Sequence, residues 1–289
     1  MSEQTQNTID VVYTVDIRGP GAMPFRDQLI ASIASVKKTT IEANDFVHIH
    51  VLHAGIDGSL VARLAALADG EHVRISFKEI PMELYSRWEK WTKGRPQAGV
   101  REWSAIVYAR LWIPLIYRDM KRCVYLDADT FVRAPLRTLY EYNLEGKPVG
   151  MAVGCIPEYG FNSGVLVIDC EAMRQNEKEE YGKLCARADK EAVHYFLPDQ
   201  TLMNRHFAGR IAVLPPAWNF PPKMGAKPTM EAAHASIWHF YNGGTKPLRE
   251  PQDEFTAALH EWRGLLEYTY ECYDEPDSTE VQDSDTKQS

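Results

Sequence analysis

Residues 122–130 read RCVYLDADT. The apolar run Cys123-Val124-Tyr125-Leu126, bounded by polar residues, has the pattern of a buried strand, and Asp127-Ala128-Asp129 follows it at once. Open α/β sheets bind ligands beyond the carboxyl ends of their strands. A strand that stops on two carboxylates therefore puts both where such folds carry chemistry. Two hard oxygen donors on one short turn suit Mn²⁺ or Mg²⁺, with the remaining positions left to water or a phosphate. Asp283-Ser284-Asp285 has the same spacing but no strand before it, so context rather than spacing marks the candidate. Taken alone, Asp127 and Asp129 read equally well as a strand-end turn that caps Thr130 or the following helix.

Upstream, β-branched runs alternate with stretches of helical period. Strands are expected over residues 9–15, 46–52 and 72–77, and helices over 25–38 and 59–68, an alternation that makes βαβ units on a parallel sheet. The polar stretch WTKGRPQAGV, 91–100, reads as a mobile loop, and a helix over 102–117 leads into the strand at 122. Downstream, 149–153, 164–168 and 211–214 continue the sheet, with helices over 171–188 and 200–207. Residues 236–240 read as a strand, Asn242-Gly243-Gly244 as a tight turn and 254–268 as a helix. The expected fold is one α/β domain over 1–270, followed by an acidic, disordered tail over 271–289.

The charge distribution narrows the function. The chain has 289 residues and a formal charge of −8, and from Glu271 onward seven acids face the single base Lys287. A nearly neutral body with an acidic tail offers a phosphate backbone no general attraction, which argues against nucleic-acid binding. Five widely spaced cysteines without a C-x-x-C fit reduced thiols. The opening MSEQTQNTID lacks the basic flank and apolar stretch of a secretory signal. A cytoplasmic protein is expected.

A third ligand beside two carboxylates is best supplied by His239, in SIWHFYNGGTKPL. It stands at a strand end ahead of Gly243 and Gly244, whose backbone can approach a phosphate, and of Lys246, a point charge for it. Imidazole with two carboxylates favours Mn²⁺ over Mg²⁺. A satisfied core histidine beside a glycine turn is the structural alternative, and His48, His50, His53 and His72 read as strand histidines of that kind. Asn162 and Ser163 put an amide and a hydroxyl at the mouth of the strand VLVID. Asp199 and Gln200 open the helix TLMNRHF, where Asp199 reads also as an N-cap and Asn162 as a turn closer.

These segments, in their order, resemble glycosyltransferase family 8, retaining nucleotide-sugar transferases with a GT-A fold. The resemblance runs from about residue 9 to 248, through DVVYTVD, YARLWIPLIY, VYLDADTFV, FNSGVLVID, LPDQTLMN, PPAWN and HFYNGGTKPL. It implies that Asp127, Asp129 and His239 bind the divalent metal, usually Mn²⁺, that holds a UDP-sugar. It places Thr14 and Asp16 at the uracil, Arg110 near the donor, and Asn162, Asp199 and Gln200 along the donor sugar. Gly243 and Lys246 match the turn and lysine that contact phosphate, and Ala128 lies within the metal motif. Thr201 and Leu248 stand where the family pattern usually has an acid and often a tryptophan.

The implied activity is α-transfer of galactose or glucose from a UDP-hexose to a glycan or lipid-linked saccharide acceptor. The family's bacterial members of this compact kind extend lipopolysaccharide core at the cytosolic face of the inner membrane, in peripheral contact with it. With Gln200 beneath the sugar, retention is expected by front-side substitution rather than through an enzyme ester. D-x-D-x-T also opens the haloacid dehalogenase-like phosphatases, but those carry it on their first strand. A non-catalytic nucleotide-sugar binder is the other alternative.

Overall fold

The computed structural model describes residues 8–18, 23–93, 103–222 and 234–241, apart from the side chains of Met23 and Pro24. The chain runs β1 (Thr8–Val15), α1 (Met23–Glu42), β2 (Phe46–His53), α2 (Gly58–Ala65), β3 (Val73–Glu79), α3 (Met82–Thr92), then a 3₁₀ turn (Ala105–Tyr108) and α4 (Ala109–Ile116). After these come β4 (Arg122–Leu126), β5 (Thr130–Val132), α5 (Arg137–Tyr140), β6 (Val149–Val153), β7 (Phe161–Asp169), α6 (Cys170–Arg174), α7 (Glu177–Glu191), α8 (Pro198–His206), β8 (Ile211–Val213) and β9 (Ile237–His239).

Among the described residues, seven strands form one sheet in the order β3-β2-β1-β4-β7-β6-β8. β7 alone runs against its neighbours β4 and β6; the other adjacent pairs are parallel. Strand alternation sorts the side chains between two cores. Val12, Tyr125, Met151 and Leu166 pack on one face among α3, α4, α6 and α7, while Val11, Tyr13, Val124 and Val165 pack on the other with residues of α1 and α2. A sheet covered on both faces requires strands rich in apolar residues on both sides, as VVYTV and RCVYL supply. This is the expected mixed, mainly parallel α/β sheet flanked by helices in a single domain.

Several elements depart from expectation. Trp91 belongs to a helix rather than a loop, because Tyr85, Trp88 and Trp91 recur on the buried side of α3 and the Trp91 indole donates to Asp189 Oδ1 at 2.7 Å. The helix expected over 102–117 is divided into the 3₁₀ turn, capped by Ser104, and α4. The one expected over 171–188 breaks at Gln175-Asn176, and α6 is capped by Asp169. The residues of the supposed 94–100 loop, the Asn242 turn, the 254–268 helix and the acidic tail lie outside the described residues. Cys123, Cys155, Cys170 and Cys185 are thiols. Among the described residues no helix is long and apolar enough to cross a membrane.

One short element lies outside the main sheet. β5 turns away directly after Asp129 and pairs antiparallel with β9, Thr130 opposite His239. The ribbon is pinned to α1: Ser32 Oγ bonds both the Tyr13 hydroxyl and Thr130 Oγ1, each at 2.9 Å. Ser35 Oγ accepts the Val132 amide at 2.9 Å and donates to the Ser32 carbonyl at 2.6 Å. Removing the Ser35 hydroxyl leaves a buried backbone N–H without its acceptor, which costs about 1–3 kcal/mol. Ser35→Ala is therefore expected to lower unfolding free energy by about that amount in urea titration, with the denaturant slope unchanged.

Candidate metal and donor site

The Asp127 amide closes the end of β4 by donating to the Gly164 carbonyl of β7 at 2.8 Å, and the β5–β9 ribbon brings His239 to the same place. His239 Nε2 lies 3.1 Å from Asp129 Oδ1 and 3.6 Å from Asp127 Oδ2. One donor atom from each of the three residues lies within 4.8 Å of the other two. The approach needs a glycine beside it. A Cβ on Gly164 would stand 1.9 Å from His239 Cε1 and 2.7 Å from Asp127 Oδ2.

A chain of amides sets the imidazole. The Gly164 backbone N–H, which can only donate, meets Asn162 Oδ1 at 2.9 Å. That oxygen also accepts from Asn219 Nδ2 at 2.8 Å. Asn219 Oδ1 is then an acceptor, and it stands 2.8 Å from His239 Nδ1. His239 must carry a proton on Nδ1, and its Nε2 faces the two aspartates. A partner on the far nitrogen that selects tautomer and ring orientation is what a metal-ligating histidine needs. The same logic runs the other way: Asn162 Nδ2 donates to Gln200 Oε1 at 3.1 Å, and Gln200 Nε2 to the Tyr159 carbonyl at 3.3 Å.

Arg110, only 5% exposed, underlies the site. A buried guanidinium is costly unless its donors are paired. Here Nη2 meets Asp127 Oδ1 at 2.9 Å and Nη1 lies 3.3 Å from Asp199 Oδ2. Nη1 also donates to the Ser163 carbonyl at 2.6 Å, Nε donates to the Val107 carbonyl at 3.0 Å, and the Tyr125 ring lies under the guanidinium. Burial pushes the Asp127 carboxyl up, but the Arg110 charge and the His239 hydrogen bond outweigh it and hold the group below the ordinary carboxylate value. Burial likewise drives His239 toward the neutral form, and hydrogen bonds to Asp127 and Asp129 reverse the sign. With a cation in place of its Nε2 proton His239 is neutral, and Arg110 set against the formal charges of Asp127, Asp129 and Asp199 then leaves the residues two charges negative. A divalent cation on oxygen and imidazole donors balances that charge, so these residues fit the metal.

A pocket of about 230 Å³ opens over this floor, and Arg110, Asp127, Asn162, Asp199, Gln200 and His239 all line it. Tyr159 and Phe196, both about half exposed, stand with their rings 6.2 Å apart and line it too. A profile of glycosyl transferase family 8 matches residues 25–250. The chain belongs to glycosyl transferase family 8. Over 107 residues it is 31% identical to glycosyltransferase GlyF of Streptococcus pneumoniae, a match that covers 35% of this chain and 26% of GlyF. The fold is similar to that of the galactosyltransferase LgtC, solved with donor and acceptor sugar analogues, at TM-score 0.69 and 21% identity over 90% of this chain and 96% of that one. It is also similar to the bifunctional glycosyltransferase WbbM, at TM-score 0.70 and 20% identity over 92% of this chain and 51% of that one. These likenesses identify the sheet as that of a GT-A fold.

In this member of family 8 the residues singled out from sequence fall into three groups. Asp127, Asp129, His239, Arg110, Asn162, Asp199 and Gln200 converge, with Ala128 packed at the turn. Asp199 is not the N-cap of α8, whose cap position is Leu197; its carboxylate turns inward to Ser163 Oγ at 2.7 Å. Asn162 is not a turn closer: it lies within β7, where its Oδ1 accepts from the Gly164 amide, and it bridges Asn219 and Gln200. Thr14 reaches the cluster only through the Tyr125 hydroxyl, at 3.0 Å, which itself donates to Asp127 Oδ1 at 2.7 Å. Asp16 stands apart, accepting hydrogen bonds from Arg18, Tyr85 and Ser104. Gly243 and Lys246 lie outside the described residues. Sequence reasoning puts the Ser163 hydroxyl at the strand mouth without naming its partner and gives no role to Tyr125 or Asn219, although PPAWN marks the latter.

Two outcomes are expected from this geometry. Gly164→Ala should stay folded by circular dichroism yet lose Mn²⁺ affinity in calorimetric titration, because the new methyl occupies the place of the His239 ring. Burial raises the Asp16 carboxyl, but hydrogen bonds from Arg18, Tyr85 and Ser104 prevail and bring it to about 2. A depressed carboxyl contributes stability that is complete above its unfolded value of 3.8 and fades as pH falls toward 2. Urea unfolding between pH 4 and 2 should therefore show a shallower loss of stability in Asp16→Asn than in the parent.

Proposed function

We propose that this glycosyltransferase transfers galactose or glucose, with retention, from a UDP-hexose to a glycan or lipid-linked saccharide acceptor, in a reaction that requires Mn²⁺ or, less effectively, Mg²⁺. The observation that carries this reading is the convergence of Asp127, Asp129 and His239, with Asp127 and His239 at the floor of a pocket whose wall is Asn162, Asp199 and Gln200. The phosphatase alternative is disfavoured, since the D-x-D-x-T turn follows β4 rather than the first strand.

Asp127, Asp129 and His239 would hold the cation. When bound, it supplies the positive charge that stabilises a leaving diphosphate. Breaking a glycosyl phosphate bond builds positive charge on the sugar and negative charge on the departing UDP, so groups fixed beforehand around both ends lower the barrier. Gln200 lines the wall assigned to the donor sugar, its amide oxygen held by Asn162 Nδ2, where the amide can stabilise developing positive charge. Gly243 and Lys246 are assigned to the diphosphate, and Thr14 and Asp16 to the uracil side.

Retention by double displacement needs a free carboxylate beneath the sugar. Gln200 is an amide, and Asp199 is engaged by Ser163 and Arg110. Front-side substitution, in which the leaving phosphate accepts the acceptor proton, fits this arrangement. The aromatic pair Tyr159 and Phe196 gives an acceptor sugar a surface to stack on. Residues 1–270 form the catalytic unit in this reading and 271–289 an appended acidic segment. The acceptor is met in the cytoplasm or at the cytosolic face of the inner membrane.

A panel of UDP-sugars scored by UDP release, with and without Mn²⁺, tests the proposal. Turnover is expected with one hexose, to stop with EDTA, and to be largely abolished in folded Asp129→Ala. Anomeric proton coupling should show an α-linked product, and Gln200→Ala should slow kcat without abolishing it. Full activity in EDTA, or a β-linked product, would sink the assignment.

A further inference from the structure

At the other end of β1, about 13 Å along the strand from Thr14 at ~3.3 Å per residue, lies a second set of ligating side chains. Asp10 stands in register with His48 of β2, and His50 stands in register with Ser76 of β3. Side chains in a parallel register, and at two-residue steps along a strand, share one face. All four therefore project from the same side of the sheet. One donor atom each from Asp10, His48 and His50 lies within 4.8 Å of the other two.

We propose that Asp10, His48 and His50 form a second divalent-cation site, separate from the candidate donor site, and that it takes Zn²⁺. Such a site is independent of the transferase reading.

The existing hydrogen bonds already arrange the donors. His50 Nε2 is 2.8 Å from Asp10 Oδ1, its Nδ1 is 3.2 Å from Ser76 Oγ, and His48 Nε2 is 3.0 Å from the same hydroxyl. A hydroxyl oxygen has two lone pairs. When a cation takes the place of the proton that His50 Nε2 donates to Asp10, that proton moves to Nδ1; with Ser76 then accepting from both rings, Nε2 of His50 and Nδ1 of His48 offer lone pairs to the metal. This gives each imidazole the fixed far-side partner that metal-bound histidines have. Zinc–nitrogen bonds of about 2.0–2.1 Å in a tetrahedron set donors about 3.4 Å apart. The His50–Asp10 contact therefore opens by about 0.6 Å on loading, a small side-chain rotation. The Asp10 side chain is 24% exposed, so water can enter and fill a fourth position.

The donor set decides the ion. Two imidazoles with one carboxylate suit Zn²⁺, whereas two carboxylates with one imidazole suit the harder Mn²⁺. The two clusters of this chain thus differ in preference. At Asp10 the cation ties β1 to β2, with β3 attached through Ser76. A ligand bound only by the folded chain raises its stability.

The test uses the full chain, stripped of metal by chelation and titrated with Zn²⁺ by calorimetry and by metal analysis after dialysis. Asp129→Ala, which disables the other cluster, is expected to keep one equivalent of Zn²⁺ and a Zn²⁺-dependent rise in Tm. In that background Ser76→Ala should weaken Zn²⁺ binding by about 10–100-fold. His48→Gln and His50→Gln should weaken it further and remove the rise in Tm. Asp10→Asn, whose amide oxygen still accepts from His50, guards against a folding defect and should lose Zn²⁺ affinity with an unchanged circular dichroism spectrum. Loss of all Zn²⁺ binding in Asp129→Ala alone, or undiminished binding in Asp10→Asn and the histidine variants, would overturn the proposal.

Discussion

A single backbone amide, that of Gly164, fixes the polar order of the candidate site. Because it can only donate, Asn162 must turn its oxygen toward it, and every later amide and the His239 tautomer are set without choice. The same residue, by having no side chain, leaves the space that the His239 ring and the Asp127 carboxylate occupy. Position and protonation are thus set by one glycine in the middle of a strand, a place where glycine otherwise weakens a sheet. The cost in strand propensity is local, and the ordering extends across β7, α8 and β9.

Arg110 plays the electrostatic counterpart. Two of the acids that gather near the pocket would repel one another without a cation beneath them, and the guanidinium lies between Asp127 and Asp199. It is fixed by carbonyls of its own turn and of β7, so it acts as a permanent part of the floor. Asp127 keeps its charge against the pull of burial and remains available as a ligand.

Much of this is legible in the sequence, for identifiable reasons. Strands of the sheet show as β-branched runs, and their ends carry the chemistry, so Asp127, Asp129, Asn162 and His239 stand out by position. Trp91 merges in sequence with the polar stretch after it, although its spacing from Trp88 and Tyr85 fits one helical face. β5, three residues long, is too short to show a period, and its partner β9 lies far along the chain. Arg110 looks, in sequence, like a charge near the donor. Its burial becomes visible only when α4, β4 and α8 are packed together. His48 and His50 read as core histidines because a period of two says which face they share and nothing of the aspartate across the ladder.

The β5–β9 ribbon has a consequence for the order in which the protein comes into being. Among the described residues the main sheet draws its last strand from residues ending at Val213, while His239 is contributed by a later strand outside that sheet. A chain emerging from the ribosome at about 5–20 residues per second can therefore close its sheet while Asp127 and Asp129 still lack their imidazole. For that interval the nascent fold holds two carboxylates without the nitrogen donor, and the ligand set is completed only after residues 237–239 have emerged.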